Sequence, residues 1–199
     1  MGRKKQYICK VTSKDADMLK AFARVGYLNA DMIKRQLCIA DRRVINFAKD
    51  KFIEKCSYFE KDTKISENIY RLTDKGQKFI ERELGIKWFY RSSSAAHDLA
   101  LASKYLSLSD KERDTWKTEA EIRDIFKETL DSMIDNERFE EIEKMLAEHQ
   151  ISPTDAYYIS NQGESMGVEI VTSSYGNSEI QAKSEFCSHM NLQAEFIKV

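Results

Sequence analysis

The sequence predicts an α+β protein built from two units, on three observations. First, the charge reverses partway along the chain. Residues 1–91 hold 22 Lys and Arg against 12 Asp and Glu, a net of +10, whereas residues 92–199 hold 10 against 21, a net of −11. Second, apolar residues recur at helical spacing through residues 15–84, with one interruption at 52–72 by two strand-like runs around a polar turn. Third, the segment from Pro153 onward shifts to strand-like runs flanking one helix. The expected boundary is therefore 91/92. A chain of 199 residues accommodates two small domains of this kind.

Composition narrows the classes. An apolar fraction of 42% with a single Pro argues against global disorder and against a linker-rich or collagen-like chain. No run approaches the roughly 18 apolar residues of a membrane-spanning helix. The basic start, Met1 to Lys10, lacks the apolar run of a secretory signal, and Gly2 lacks the Ser or Thr context of a lipidation motif. The cysteines at 9, 38, 56 and 187 show no C-x-x-C pair and no finger pattern with His97, His149 and His189. They read as free thiols of a reducing, cytoplasmic compartment. Cys187 and His189 lack the further ligands a metal site needs. No metal and no cofactor is implied.

The elements follow in order. Met18, Leu19, Phe22 and Val25 form the buried stripe of a first helix, which Gly26 stops. Asn29 caps a second, with Met32, Ile33 and Leu37 inward. Asp41 caps a third, with Val44, Ile45 and Ala48 inward. Residues 52–60 form a strand, 61–66 its turn, and Asn68–Leu72 the return. Thr73 caps a fourth helix that ends at Gly85.

Three helices, a β-hairpin and a further helix make the pattern of a winged helix-turn-helix. The third helix enters the DNA major groove and the hairpin wing reaches the adjacent backbone. Arg42, Arg43, Asn46 and Lys49 are the candidate readers on that helix. Arg pairs bidentately with guanine and Asn with adenine. Lys61 and Lys64 flank the wing tip and suit phosphate contacts. The +10 charge matches a polyanion. Residues 86–94 close this unit, with three serines at 92–94 as a joint. Trp88, Phe89 and Tyr90 are expected in interdomain or dimer packing.

In the acidic half, residues 95–108 form a small-residue helix expected inside the second unit, and His97 reads as a satisfied, partly buried histidine. Thr118 to Glu121 is a capping box that opens a helix through about Ile134. Residues 136–149 form an acidic helix. Pro153 leads into a strand. Asn161-Gln-Gly163-Glu turns it into a second strand, Met166–Thr172, so Asp155 and Glu169 fall in one hairpin. Residues 178–190 are helical and 194–199 a final strand.

Several short motifs resemble the replication-relaxation family of mobile-element proteins. They are Ala96-His97-Asp-Leu-Ala-Leu-Ala, Trp116-Lys-Thr-Glu-Ala-Glu-Ile-Arg, Pro153-Thr-Asp155-Ala and Gly167-Val-Glu169-Ile-Val, with Lys183 in the following helix. The resemblance implies a winged-helix N-terminal domain and a C-terminal α/β domain related to the restriction-endonuclease-like PD-(D/E)xK fold, in reduced form. In an active nuclease of that fold an Asp and a Glu hold Mg²⁺ and a Lys two positions past the Glu orients water. Asp155 and Glu169 match the two acids. Val171 occupies the lysine position, Lys183 is the displaced candidate, and Glu119 or Glu121 the candidate upstream acid. The expectation is an inactive nuclease-like domain at 92–199 serving dimerisation or partner binding.

The sequence thus points to a sequence-specific double-stranded-DNA-binding protein of a plasmid, phage or conjugative element. It is expected to be a homodimer at an origin-like or operator site. A relaxase or replication protein is the partner the resemblance implies. The alternatives are a transcriptional regulator, a Mg²⁺-dependent nuclease and a protein-interaction inhibitor of a host nucleic-acid enzyme.

Overall fold

The structure, a computed structural model, describes residues 6–59, 66–90, 94–131 and 137–199. It is mixed α+β with two sheets, and it divides into two units, Met1–Ser107 and Leu108–Val199. No helix among the described residues is long and apolar enough to cross a membrane.

In the first unit, α1 (Ser13–Val25) begins with a reciprocal cap. Thr12 N donates to Asp15 Oδ2 at 2.7 Å and Asp15 N donates to Thr12 Oγ1 at 3.3 Å. Two backbone donors that a helix start leaves without partners are thereby satisfied. Met18, Leu19, Phe22 and Val25 are buried, as their spacing predicts. The helix stops at Gly26, where φ is +80° and an added Cβ would lie 2.2 Å from Asp98 Oδ2. Both the left-handed backbone and the close approach demand glycine.

The next segment departs from expectation. Leu28–Asn29 form β1, which pairs antiparallel with β3 (Ser66–Leu72). β3 in turn pairs antiparallel with β2 (Ile53–Phe59), from Ile53 opposite Leu72 to Phe59 opposite Ser66, giving the order β1-β3-β2. A two-residue strand has no period to detect in sequence. Asn29 does cap the helical run 30–36, its Oδ1 accepting from Met32 N at 2.8 Å. Its turn Met32–Gln36 is wound wide, with Leu37 N donating to Met32 O.

The third helix is α2 (Asp41–Lys49). Its cap position is Ala40, not Asp41. Asp41 already lies in the first turn, where its charge complements the helix start and pairs with Lys34 at 3.3 Å. Val44 and Phe47 face the core, but Ile45, expected inward, is 49% exposed. Each residue advances the helix by about 100°, so Ile45 leaves the face that Val44 and Phe47 share. Thr73 caps α3 (Asp74–Leu84) by accepting from Gly76 N at 3.2 Å, and Gly85 ends it in the left-handed region.

The expected boundary at 91/92 is corrected by α4 (Ala95–Ser107), which packs on α1 and β1 and belongs to the first unit. A small-residue helix carries no mark of which core it joins. Leu101 and Ala102 are fully buried there, so this face is covered within the unit. His97 is buried with Nδ1 3.2 Å from the Tyr90 hydroxyl, and Tyr90 N donates to Ala23 O at 2.8 Å. Moving the boundary to 107/108 leaves the nets at +10 and −11, because only Asp98 and Lys104 change sides.

In the second unit, α5 (Asp110–Thr115) opens with a reciprocal Ser109–Glu112 cap. It has no buried residue and hence no apolar stripe to reveal it. β4 (Lys117–Thr118) precedes α6 (Glu119–Asp131), and Glu121 accepts from Thr118 N at 2.9 Å as the capping box predicts. α7 (Glu137–Ala147) follows. β5 (Ala156–Ile159) and β6 (Ser165–Val171) form the expected hairpin. α8 (Asn177–His189) crosses to β7 (Gln193–Lys198), which lies parallel to β6. The sheet order is β4-β5-β6-β7. Ile122, Phe126 and Leu130 of α6 pack with Ile142 of α7 and Phe186 of α8 in one apolar cluster.

Gly76 provides a test of the first unit's packing. A Cβ at this position would lie 2.0 Å from the Phe52 carbonyl oxygen. Alanine improves helix propensity by about 1 kcal/mol. Even so, Gly76→Ala is expected to lose about 1–3 kcal/mol of stability, because the contact is with backbone that must shift. Urea denaturation of the two proteins measures the difference; a variant as stable as the parent contradicts the close approach.

Candidate nucleic-acid interface and buried carboxylate cluster

The residues singled out on α2 separate onto two faces. Arg43 turns toward the protein. Its guanidinium donates from Nε to Asp15 Oδ1 at 3.0 Å, and from Nη2 to Asp15 Oδ2 and the Lys10 carbonyl at 2.6 Å. It also lies 5.2 Å from the Phe47 ring centre. Burial works against ionisation of Asp15, but the hydrogen bonds from Arg43 and Thr12 outweigh it and hold the carboxyl below its ordinary range. An Arg already occupied in this fork presents no bidentate edge outward, so Arg43 leaves the set of candidate readers.

Arg42, Ile45, Asn46 and Lys49 remain, at steps of three, one and three. This spacing places them on one stripe, and Arg42, Ile45 and Lys49 are exposed. Among the described residues Arg42 makes no ion pair, while the Lys49 ammonium lies 5.0 Å from the Tyr7 ring centre. Asp50 fixes the neighbouring segment by accepting from Tyr7 N at 2.9 Å and Ile8 N at 2.7 Å. The acids near this face are neutralised, Asp41 by Lys34 and Asp31 by Arg35 at 2.7 Å. Lys61 and Lys64 lie outside the described residues. The stripe presents two cations, an amide and one aliphatic side chain beside the β2–β3 hairpin.

In the second unit the fold brings Asp155, Glu169 and Lys183 together. Asp155 precedes β5 and Glu169 lies on β6, next to the paired residues Ala156 and Val168. Their side chains continue the strand pairing. Asp155 N donates to Glu169 Oε2 at 3.0 Å, and Ile170 N donates to Asp155 Oδ2 at 2.8 Å. Lys183 of α8 lies 3.2 Å from Glu169 Oε1 and donates to the Pro153 carbonyl at 2.5 Å. Tyr175, in the loop before α8, donates to Glu169 Oε1 at 2.7 Å. Val171 is buried on β6. Glu119 pairs with Arg123 at 2.5 Å and Glu121 caps α6, so both serve their own helix.

Burial pushes the Glu169 carboxyl above its ordinary range, and the Asp155 charge adds to the effect; Lys183 and Tyr175 oppose it. Burial likewise raises the Tyr175 hydroxyl, and it raises the Cys187 thiol to about 11. The Tyr175 hydroxyl and the Cys187 thiol therefore stay protonated at neutral pH.

Mg²⁺ in an enzyme site keeps several waters and takes open carboxylate oxygens. Here both Glu169 oxygens are held by protein donors, and the residue is 1% exposed. Among the described residues no group of three or more His, Cys, Asp and Glu is placed to hold a metal ion. The residues present therefore do not fit Mg²⁺ in this arrangement. Lys183 supplies the positive charge beside Glu169.

Two participants escaped the sequence reading. Tyr175 lies in a loop with no periodicity. The outward turn of Ile45 was hidden by its two apolar neighbours at 44 and 47. No family model, curated protein or solved structure matches the chain.

The cluster predicts a pH signature. A carboxyl whose pKa is raised by folding favours the folded state while protonated, and that contribution is lost as pH rises through the raised value. In a Trp88→Phe background, Trp116 fluorescence isolates the second unit. Its urea midpoint should fall as pH rises above Glu169's ordinary value of 4.5, and Glu169→Gln should remove that component. A midpoint that rises over the same interval in the parent and not in the variant means the Glu169 carboxyl is favoured in its charged form.

Proposed function

We propose that the chain is a sequence-specific double-stranded-DNA-binding protein. Its first unit acts as a winged helix-turn-helix, with α2 in the major groove and the β2–β3 hairpin as the wing. The observation that carries this reading is the outward stripe of α2, Arg42, Ile45, Asn46 and Lys49, on a unit of net charge +10. Cations supply backbone affinity, and amide and guanidinium groups supply base edges. The resemblance to replication-relaxation proteins suggests a plasmid, phage or conjugative element and an origin-like or operator target. A single winged helix contacts few base pairs, which favours a homodimer on a repeated site. The acidic second unit, read as a reduced restriction-endonuclease-like domain, then serves pairing or recruits a replication or transfer protein.

Selection of bound duplexes from a random pool tests this reading, with enrichment of a common site as the expected outcome. On that site Arg42→Ala should cost about 1–3 kcal/mol of binding and relax base preference, with thermal stability unchanged. Arg43→Ala should do the reverse and lower thermal stability, since it strands the buried Asp15 carboxylate. Recovery of no common site removes the proposal, and a binding loss confined to Arg43→Ala moves the reading face.

A second reading, a nuclease with its lysine moved from position 171 to 183, draws on the 3.2 Å approach of Lys183 to Glu169. We favour a non-cleaving unit, because Glu169 is fully engaged and the net of −11 repels a phosphate backbone. Supercoiled plasmid should stay intact with Mg²⁺ or Mn²⁺. Nicking abolished by both Glu169→Ala and Lys183→Ala would establish the enzyme instead.

A further inference from the structure

Ile45 is the one apolar member of the α2 stripe. Its side chain is 49% exposed, while Val44 on one side and Phe47 on the other are buried. A β-branched residue on a solvent-facing helix position gains little from the core and is a poorer helix former than the Lys and Arg around it. It sits three residues after Arg42 and four before Lys49, so it occupies the middle of the stripe between two cations. It lines a shallow depression with Ala30, Val44 and Tyr70 and with the polar Asp31, Lys34, Asp41 and Asn68.

Resting on the DNA-binding reading above, we propose that Ile45 is a specificity-determining residue that packs on the C5-methyl group of a thymine in the major groove. The thymine methyl is the one apolar feature a B-form duplex displays there, and only an apolar side chain recognises it. Arg42 and Lys49 hold the helix against the phosphates and base edges on either side, which places the middle of the stripe deepest in the groove. Cytosine offers an amino group at the corresponding edge and no methyl, so the same contact discriminates T·A from C·G at that step. Asn46, next to Ile45, suits the N6 and N7 of an adenine at a neighbouring step. The target recognised through the centre of α2 is thus A·T-rich.

The test uses the full chain and duplexes carrying the site recovered by selection, with each thymine replaced in turn by deoxyuridine, which lacks only the methyl group. One thymine per half-site should stand out, its replacement weakening wild-type binding about fourfold, the equivalent of ~0.8 kcal/mol for one buried methyl. Ile45→Ala should weaken binding to the unmodified site by at least that factor and show no further loss at that deoxyuridine. This non-additivity is the mark of direct contact. The deoxyuridine series leaves the protein unaltered, so it decides the matter even where the variant is poorly folded. If the site is bound with specificity and no deoxyuridine replacement weakens it, or if the two losses simply add, Ile45 does not touch a thymine methyl. A loss for Ile45→Ala that is equal on all duplexes also overturns the proposal and marks Ile45 as a protein-docking residue. Failure of the wild type to enrich any site overturns the DNA-binding reading together with this inference.

Discussion

The Asp15 carboxylate organises the first unit. It closes the start of α1 by accepting from Thr12 and accepts from Nε and Nη2 of Arg43 on α2. One side chain therefore fixes the beginning of one helix and the rotation of another. With Arg43 held inward, Val44 and Phe47 meet the core and the stripe from Arg42 to Lys49 is set outward. A buried carboxylate is costly without compensation, and removing one partner of such a pair destabilises more than the intact pair stabilises. The orientation of the candidate reading face follows from that asymmetry.

The second unit uses carboxylates in the same way. Asp155 and Glu169 extend the β5–β6 pairing by one step through their side chains, each accepting from backbone of the opposite strand. Lys183 then ties α8 to the strand ends through Glu169 and the Pro153 carbonyl. Buried charge in this position is tolerated because each oxygen of Glu169 has a donor. The same three side chains thus join β5, β6 and α8 at one end of the sheet.

The charge division is the same at 91/92 and at 107/108. The first unit has an excess of cations, several of them already engaged: Arg43 with Asp15, Lys34 with Asp41, Arg35 with Asp31 and Arg71 with Glu54. Among the described residues, Arg42 and Lys49 of the α2 stripe stand outside this ion pairing, as do several other lysines of the unit. The net of −11 makes the second unit's surface unfavourable for a polyanion, and the net of +10 makes the first unit's favourable.

By itself, the sequence determined the features that depend on near neighbours. The caps at Asn29, Thr73 and Thr118 and the stops at Gly26 and Gly85 rest on residues within a few positions of one another, and the β2–β3 and β5–β6 hairpins join runs that one turn separates. The 14-residue spacing that places Asp155 opposite Glu169 was legible for the same reason, since one tight turn separates them. Only the tertiary structure decided what depends on distant partners. Arg43 and Asp15 are 28 residues apart, so nothing local showed that Arg43 was engaged. β1 exists because β3, some forty residues away, offers it an edge. α4 joined the first core through α1, against the sign of the sequence boundary. The outward turn of Ile45 was decided by which of three nearby apolar residues the core could reach. Periodicity states that a helix has an inside; the rest of the molecule decides where that inside lies.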